Sequence, residues 1–126
     1  MLVGLAYDGE SAFTDTEIAA HFFLWAFAKA PLILPAVENM KGNTRAIISN
    51  PYVIGVNQDL LGNPAKCVIG CGTSFEVYQS LVMVDEKEGV YMGVLAVNWD
   101  DKDAYNWQWT AFDLGFATSK EDICTQ

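Results

Sequence analysis

Basic side chains are scarce in this 126-residue sequence: seven Lys and Arg stand against sixteen Asp and Glu, a formal net charge of -9. Affinity for nucleic acid comes from clustered cations that neutralise phosphate, so a nucleic-acid partner is excluded. Histidine is scarcer still, with His21 alone, and the three cysteines are Cys67, Cys71 and Cys124. One C-x3-C spacing and a lone histidine make an incomplete ligand set, so neither a metal nor another cofactor is expected. His21 reads instead as a helix-face side chain with a local hydrogen bond. In an extended strand Cys67 and Cys71 would stand roughly 13 Å apart, out of disulfide reach. Gly70 and Gly72 can fold them together, so the pairing among the three cysteines stays open.

Charge of either sign is almost missing from Ile18 to Val37, where His21 and Lys29 are the polar side chains. An apolar run of about twenty residues could span a bilayer. Pro31 and Pro35 break it, because proline removes a helix amide and biases its predecessor toward extended backbone. No membrane partner is therefore expected. The run divides into a helix ending near Ala30 and a short extended piece, Leu32–Leu34. Thr14 and Glu17 form a capping box that marks the helix start. Ile18, Phe22, Trp25, Ala26 and Lys29 share one face, and Ala19, Phe23, Phe27 and Ala30 make a second apolar stripe beside it. Such a helix lies between other elements. Leu32-Ile33-Leu34 lacks alternation, as in a parallel strand covered on both faces. The stretch reads as one αβ unit of a larger parallel sheet or barrel.

A hydrophobic content of 52% is high for so short a chain, which should expose much of its surface. The mismatch implies apolar surface meant to be covered by further chain. Met1 to Phe13 reads as the tail of a strand and the loop after it. A short helix capped by Asn43 is expected to stop at Ser49-Asn50-Pro51, with a brief apolar segment at Val53–Val56. Beyond Pro64 the period changes to two. Ser74–Val84 and Val90–Asn98 read as strands joined by the turn Asp85–Gly89, with a third strand at Tyr105–Phe112. Their short connections make them antiparallel. Residues 1–58 carry three basic and five acidic groups, whereas 59–126 carry four and eleven. This shift coincides with the change of period and marks a domain boundary.

FLWAFAKAPLIL (residues 23–34) followed by ISNPYVIGVNQDLLG (48–62) resembles the closing part of glycoside hydrolase family 27, the α-galactosidases (melibiases) and the related α-N-acetylgalactosaminidases. The opening MLVG resembles the end of that family's WNDPDML segment, VYMGVLAVNWDDKD a strand and turn of its C-terminal β domain, and FDLGF its S-D-L-G-L stretch. The resemblance implies α/β plus all-β architecture: the C-terminal part of a (β/α)8 TIM barrel, then an incomplete antiparallel β-sandwich. Residues 1–58 would close the barrel, 59–64 would be a linker, and 65–126 would begin the β domain. Thr14–Ala30 would be the seventh barrel helix, Leu32–Leu34 the eighth strand, and Thr44–Ser49 part of the eighth helix.

By the same resemblance the activity is retaining hydrolysis of terminal α-linked galactose, which needs one carboxyl as nucleophile and one as acid. In the family both are aspartates on earlier strands, and no acid of this chain matches either. No catalytic residue is assigned here, and the chain alone is expected to be inactive. Met1 matches a methionine that lines the family's sugar pocket, the one substrate-binding position that carries over. Asn57-Gln58-Asp59 matches a family signature and reads as structural, joining barrel to β domain. The chain departs from the family at Leu60, where proline is usual, and at Ala36-Val37-Glu38, where Asp-Leu-Arg is common. Trp107 and Trp109 share a strand face with Tyr105 and read as sandwich core, and Asp101-Lys102-Asp103 as a solvated turn. The partners implied are α-galactosides, and the location is secreted or lysosomal and vacuolar, although no signal peptide is visible. The alternative is a non-catalytic carbohydrate-binding or scaffold remnant, or an α-N-acetylgalactosaminidase in a longer protein.

Overall fold

The computed structural model describes residues 6–7, 10–11, 13–34, 40, 42–83, 85–87, 89–102, 108–110 and 113–115. Two short strands open it, β1 (Ala6–Tyr7) and β2 (Glu10–Ser11), paired antiparallel with Ala6 opposite Ser11. The helix α1 (Asp15–Phe27) begins at the capping box. Thr14 Oγ1 accepts from the Glu17 amide at 3.3 Å, and the Glu17 carboxylate accepts from the Thr14 amide at 2.7 Å.

Ile18, Phe22 and Ala26, spaced by four, are buried on one face of α1 and form the core cluster with Val53. The helix ends at Phe27, short of Ala30, because the chain turns through Lys29 at φ 57. The Ala30 amide donates to the Trp25 carbonyl and the Lys29 amide to the Ala26 carbonyl, each at 3.1 Å. These crossed bonds satisfy carbonyls that a helix end leaves without partners.

Leu32–Leu34 is not a strand here, which corrects the expected buried parallel strand. A parallel strand needs a neighbour to complete its ladder, and none pairs with it among the described residues. Leu32 and Leu34 pack on the helical core while Ile33 is 72% exposed.

Two seven-residue helices follow, α2 (Gly42–Ile48) and α3 (Pro51–Asn57). Asn43 lies inside α2 rather than capping it, and its side-chain amide donates to Asp15 Oδ2 at 2.8 Å, tying α2 to the first turn of α1. The apolar segment Val53–Val56 is helical. Asn50 Oδ1 accepts from the Tyr52 amide at 3.0 Å, and Pro51 occupies the first turn, where its missing N–H costs nothing.

The second layer is an antiparallel meander of β3 (Lys66–Ile69), β4 (Phe75–Val82) and β5 (Tyr91–Asn98). β4 and β5 pair without a register break, from Phe75 opposite Asn98 to Val82 opposite Tyr91. β3 was not expected. The expected third strand at 105–112 falls mostly outside the described residues, and Gln108–Thr110 are not in a strand.

A register irregularity lies between Cys67 and Ile69. There the chain folds back through Gly70 at φ 66, and Cys67 and Cys71 form a disulfide with Cα atoms 5.8 Å apart. The glycines thus bring together two cysteines that an extended strand would separate. Cys124 lies outside the described residues.

The sheet meets α1 through Gly93. A Cβ there would stand 3.4 Å from the Phe27 ring, so the strand approaches the helix closely because glycine has no side chain. Helices precede the antiparallel strands as expected, but the described residues close no barrel and stack no second sheet on the meander. Among them no helix is long and apolar enough to cross a membrane.

Candidate functional site

The polar groups that converge most closely lie where α1, α3 and β4 meet. Lys29, held by the left-handed turn after α1, donates from Nζ to Asp59 Oδ1 and to the Val56 carbonyl at the end of α3. The Asp59 side chain is 0% exposed and that of Lys29 9%. Asp59 Oδ2 accepts from the Leu61 and Met83 amides, each at 3.2 Å. The Leu60 amide donates to the Met83 carbonyl at 2.8 Å. Asn57 Nδ2 donates to the Ala26 and Ala30 carbonyls at 3.3 and 2.9 Å. Asn57 therefore caps α1 from the side, and Asp59 ties both helices to the strand end after β4.

Burial opposes ionisation of Asp59, but the Lys29 hydrogen bond, the Met83 amide, the Lys29 charge and the Leu61 amide outweigh it and lower its pKa. The pairing of Lys29 with Asp59 was not anticipated. Its signal was Lys29 itself, an ammonium in an otherwise greasy run, which needs a partner when buried.

The remaining carboxylates do other structural work. Glu17 is lowered by the Thr14 amide and hydroxyl. Glu76 is lowered by the Gly72 amide, the Tyr78 hydroxyl and the Trp99 indole N–H. Asp85 and Asp100 accept from the Lys87 and Lys102 amides, each at 2.8 Å, and Asp113 accepts from the Thr110 amide at 2.8 Å. Glycoside hydrolysis needs a carboxyl raised enough to donate a proton near neutral pH. Every described carboxyl with a resolved shift moves the opposite way.

The other sequence candidates are dispersed. Met1, Ala36-Val37-Glu38, Tyr105 and Trp107 lie outside the described residues, and Trp109 is 39% exposed rather than core. His21 makes edge contacts with Phe13 and Trp25 at 6.4 and 5.9 Å between ring centroids. Its four-residue spacing from Trp25 supplies a ring neighbour. Among the described residues no three His, Cys, Asp or Glu side chains gather as a metal would need.

No family model matches the chain. It is similar to α-galactosidase A of Cellvibrio japonicus, 38% identical over 111 residues, covering 87% of this chain and 25% of that protein. It is 45% identical over 58 residues to the α-galactosidase of Lachancea cidri, covering 45% of this chain and 12% of that protein. With the α-galactosidase of Coffea arabica it shares 47% identity over 55 residues, 43% of this chain and 15% of that protein. The chain thus spans a quarter or less of the length of these relatives. It is homologous to the α-galactosidases over part of their length, as its resemblance to glycoside hydrolase family 27 implied.

Proposed function

We propose that this chain is a segment of an α-galactosidase-like retaining glycoside hydrolase that releases terminal α-linked galactose. Homology to α-galactosidases over most of this chain is the observation that carries the reading. In this proposal residues 1–58 are the end of a (β/α)8 barrel, 59–64 a linker and 65–126 the start of an antiparallel β-sandwich. Met1 contributes to the sugar pocket at the barrel mouth. The parent protein acts on α-galactosides in a secreted or vacuolar setting.

The chain by itself supplies scaffold and no turnover. The engagement of the described carboxylates supports this. Asp59 is neutralised beneath Lys29, Glu17 is spent on a helix cap, and Glu76 braces the strand ends. None of them is set to protonate a leaving oxygen.

The test is an assay of two purified proteins with chromogenic α-galactoside and α-N-acetylgalactosaminide: residues 1–126, and the product of the longest transcript that contains them. Turnover by the longer product and none by the 126-residue chain is the expected result. Hydrolysis by the 126-residue chain would overturn the assignment of a scaffold role. No hydrolysis of either substrate by a longer product would overturn the enzymatic reading in favour of a non-catalytic remnant.

A further inference from the structure

The two edges of the meander are built differently. β3 has four residues, its register slips between Cys67 and Ile69, the Cys67–Cys71 disulfide folds its end back, and Lys66 on it is exposed. Shortness, irregularity and lysine are common means of keeping a strand edge from pairing with other chains. β5 has none of them. Its sequence YMGVLAVN carries no charge and no proline, and all eight residues pair with β4 in unbroken register.

The Trp99 amide donates to the Ser74 carbonyl at 2.7 Å, directly across from it. This fixes the phase of the ladder, because bonded pairs of an antiparallel ladder recur at every second residue. Gly93, Leu95 and Val97 therefore turn their amides and carbonyls toward β4, opposite Ser80, Tyr78 and Glu76. Met92, Val94 and Ala96 turn theirs away from it. Among the described residues no strand lies beyond β5, and these outward groups make no hydrogen bond.

This edge is complementary to itself. A two-fold axis at Leu95 runs a second β5 antiparallel to the first and sets Val94 opposite Ala96 of the second copy, so that the two exchange hydrogen bonds. No charged side chain of β5 faces its like across the seam, a juxtaposition that would be destabilising. The same register brings Tyr91 opposite Trp99 of the second copy at each end. These side chains are 49% and 51% exposed, and a cross-strand aromatic pair covers them. The blunted β3 edge stops growth at two copies.

We propose that this chain forms a two-fold dimer by antiparallel pairing of β5 with β5 of a second copy, joining the two three-stranded sheets into one. The proposal does not depend on the hydrolase reading. The dimer is weak, because eight residues a side fall short of the roughly 20–30 of a standard interface. Each copy also brings a net charge of -9, so pairing strengthens as salt screens the repulsion.

The test is sedimentation equilibrium of the 126-residue chain from about 10 μM to 1 mM, with amide hydrogen exchange followed by NMR at both ends of that range. A reversible monomer–dimer equilibrium is expected, with a Kd of roughly 0.1–1 mM that falls severalfold as salt is raised from about 20 to 500 mM. The Val94 and Ala96 amides should exchange freely when dilute and about threefold more slowly at the high concentration. The Leu95 amide, bonded to β4, should be protected at both. Val94→Pro removes an N–H that the β4 ladder does not use, and Ala96→Glu brings two like charges to the seam. Each should raise the Kd by about tenfold or more while retaining the native circular dichroism. The amide pattern of the unsubstituted chain decides the matter even if a variant fails to fold. A monomer at every concentration, growth beyond the dimer, or a dimer that both folded variants leave intact would overturn the proposal. So would Val94 and Ala96 amides already protected when dilute, since the edge would then be covered within one chain.

Discussion

Lys29→Met keeps the length of the side chain and removes its charge, leaving the fully buried Asp59 carboxylate with two backbone amides. Breaking a buried ion pair from one side costs about 3–5 kcal/mol, because the other charge stays desolvated. Lys29 also sits at φ 57, a conformation that costs a non-glycine residue about 1–2 kcal/mol. Lys29→Met leaves that backbone cost in place, so the difference between the two proteins reports the charge.

The pH dependence gives a second readout. In the unsubstituted chain the Asp59 carboxyl titrates below its ordinary value near 3.8. A depressed carboxyl contributes stability above its unfolded pKa and loses it as pH falls through the lower folded value. Burial is the largest single influence on this carboxyl and raises it; without Lys29 only the Met83 and Leu61 amides oppose it, so the variant's carboxyl is less depressed and less stability is lost as it protonates. The gap between the two proteins should therefore narrow on going from neutral pH to about pH 3. Glu17 and Glu76 are also depressed but are unchanged between the proteins, so they cancel in the difference. Urea denaturation of the dilute 126-residue chain across this range measures the gap. A gap below about 1 kcal/mol at neutral pH, or one that does not vary with pH, would refute the assignment of Lys29 as the counter-ion.

Four further outcomes follow from the local geometry, each read by denaturation. Gly70→Ala places a Cβ 2.0 Å from the Phe75 carbonyl oxygen at a positive φ, so a loss of about 3 kcal/mol or more is expected. Gly72→Ala meets nothing within 4 Å, and its φ of 82 alone should cost about 1 kcal/mol. Reducing the Cys67–Cys71 disulfide, which spans a sequence separation of 4, should lower stability by about 2 kcal/mol, since closing so short a loop limits the unfolded chain only modestly. Thr14→Ala removes the acceptor for the Glu17 amide and should cost about 1 kcal/mol, with loss of helical signal from α1.

What could be read from the sequence was local or periodic. The start of α1 lay in two side chains, Thr14 and Glu17, whose roles depend on three-residue spacing alone. The β4 and β5 strands showed themselves by alternation and by the polar turn between them. The second apolar stripe of α1 was equally visible, although only part of it finds a partner. The failures share a cause, which is dependence on a neighbour. Leu32–Leu34 has the composition of a buried strand, but a strand is defined by its ladder. Val53–Val56, legible only as a brief apolar segment, is too short for its period to decide between helix and strand, and the deciding signal was the Asn50-Pro51 pair before it. β3 is four residues of weak alternation, and its pairing with β4 makes it a strand.

The two motif stretches that carry the resemblance, around Lys29 and around Asp59, meet in space through a joint. Lys29 closes α1, Asn57 caps it, and Asp59 receives Lys29 while accepting the Met83 amide after β4. Each of these groups is buried or half-buried and satisfied by the others, so changing any one leaves a desolvated polar atom. Such a joint fixes its own residues for reasons of packing and pairing, whatever happens at a distant active site. Its carboxylate is also the wrong kind for acid catalysis, since a counter-ion and two amides hold it ionised where a proton donor must be held protonated. Kinship with a hydrolase can thus be strong in stretches whose described polar contacts hold helices to a sheet.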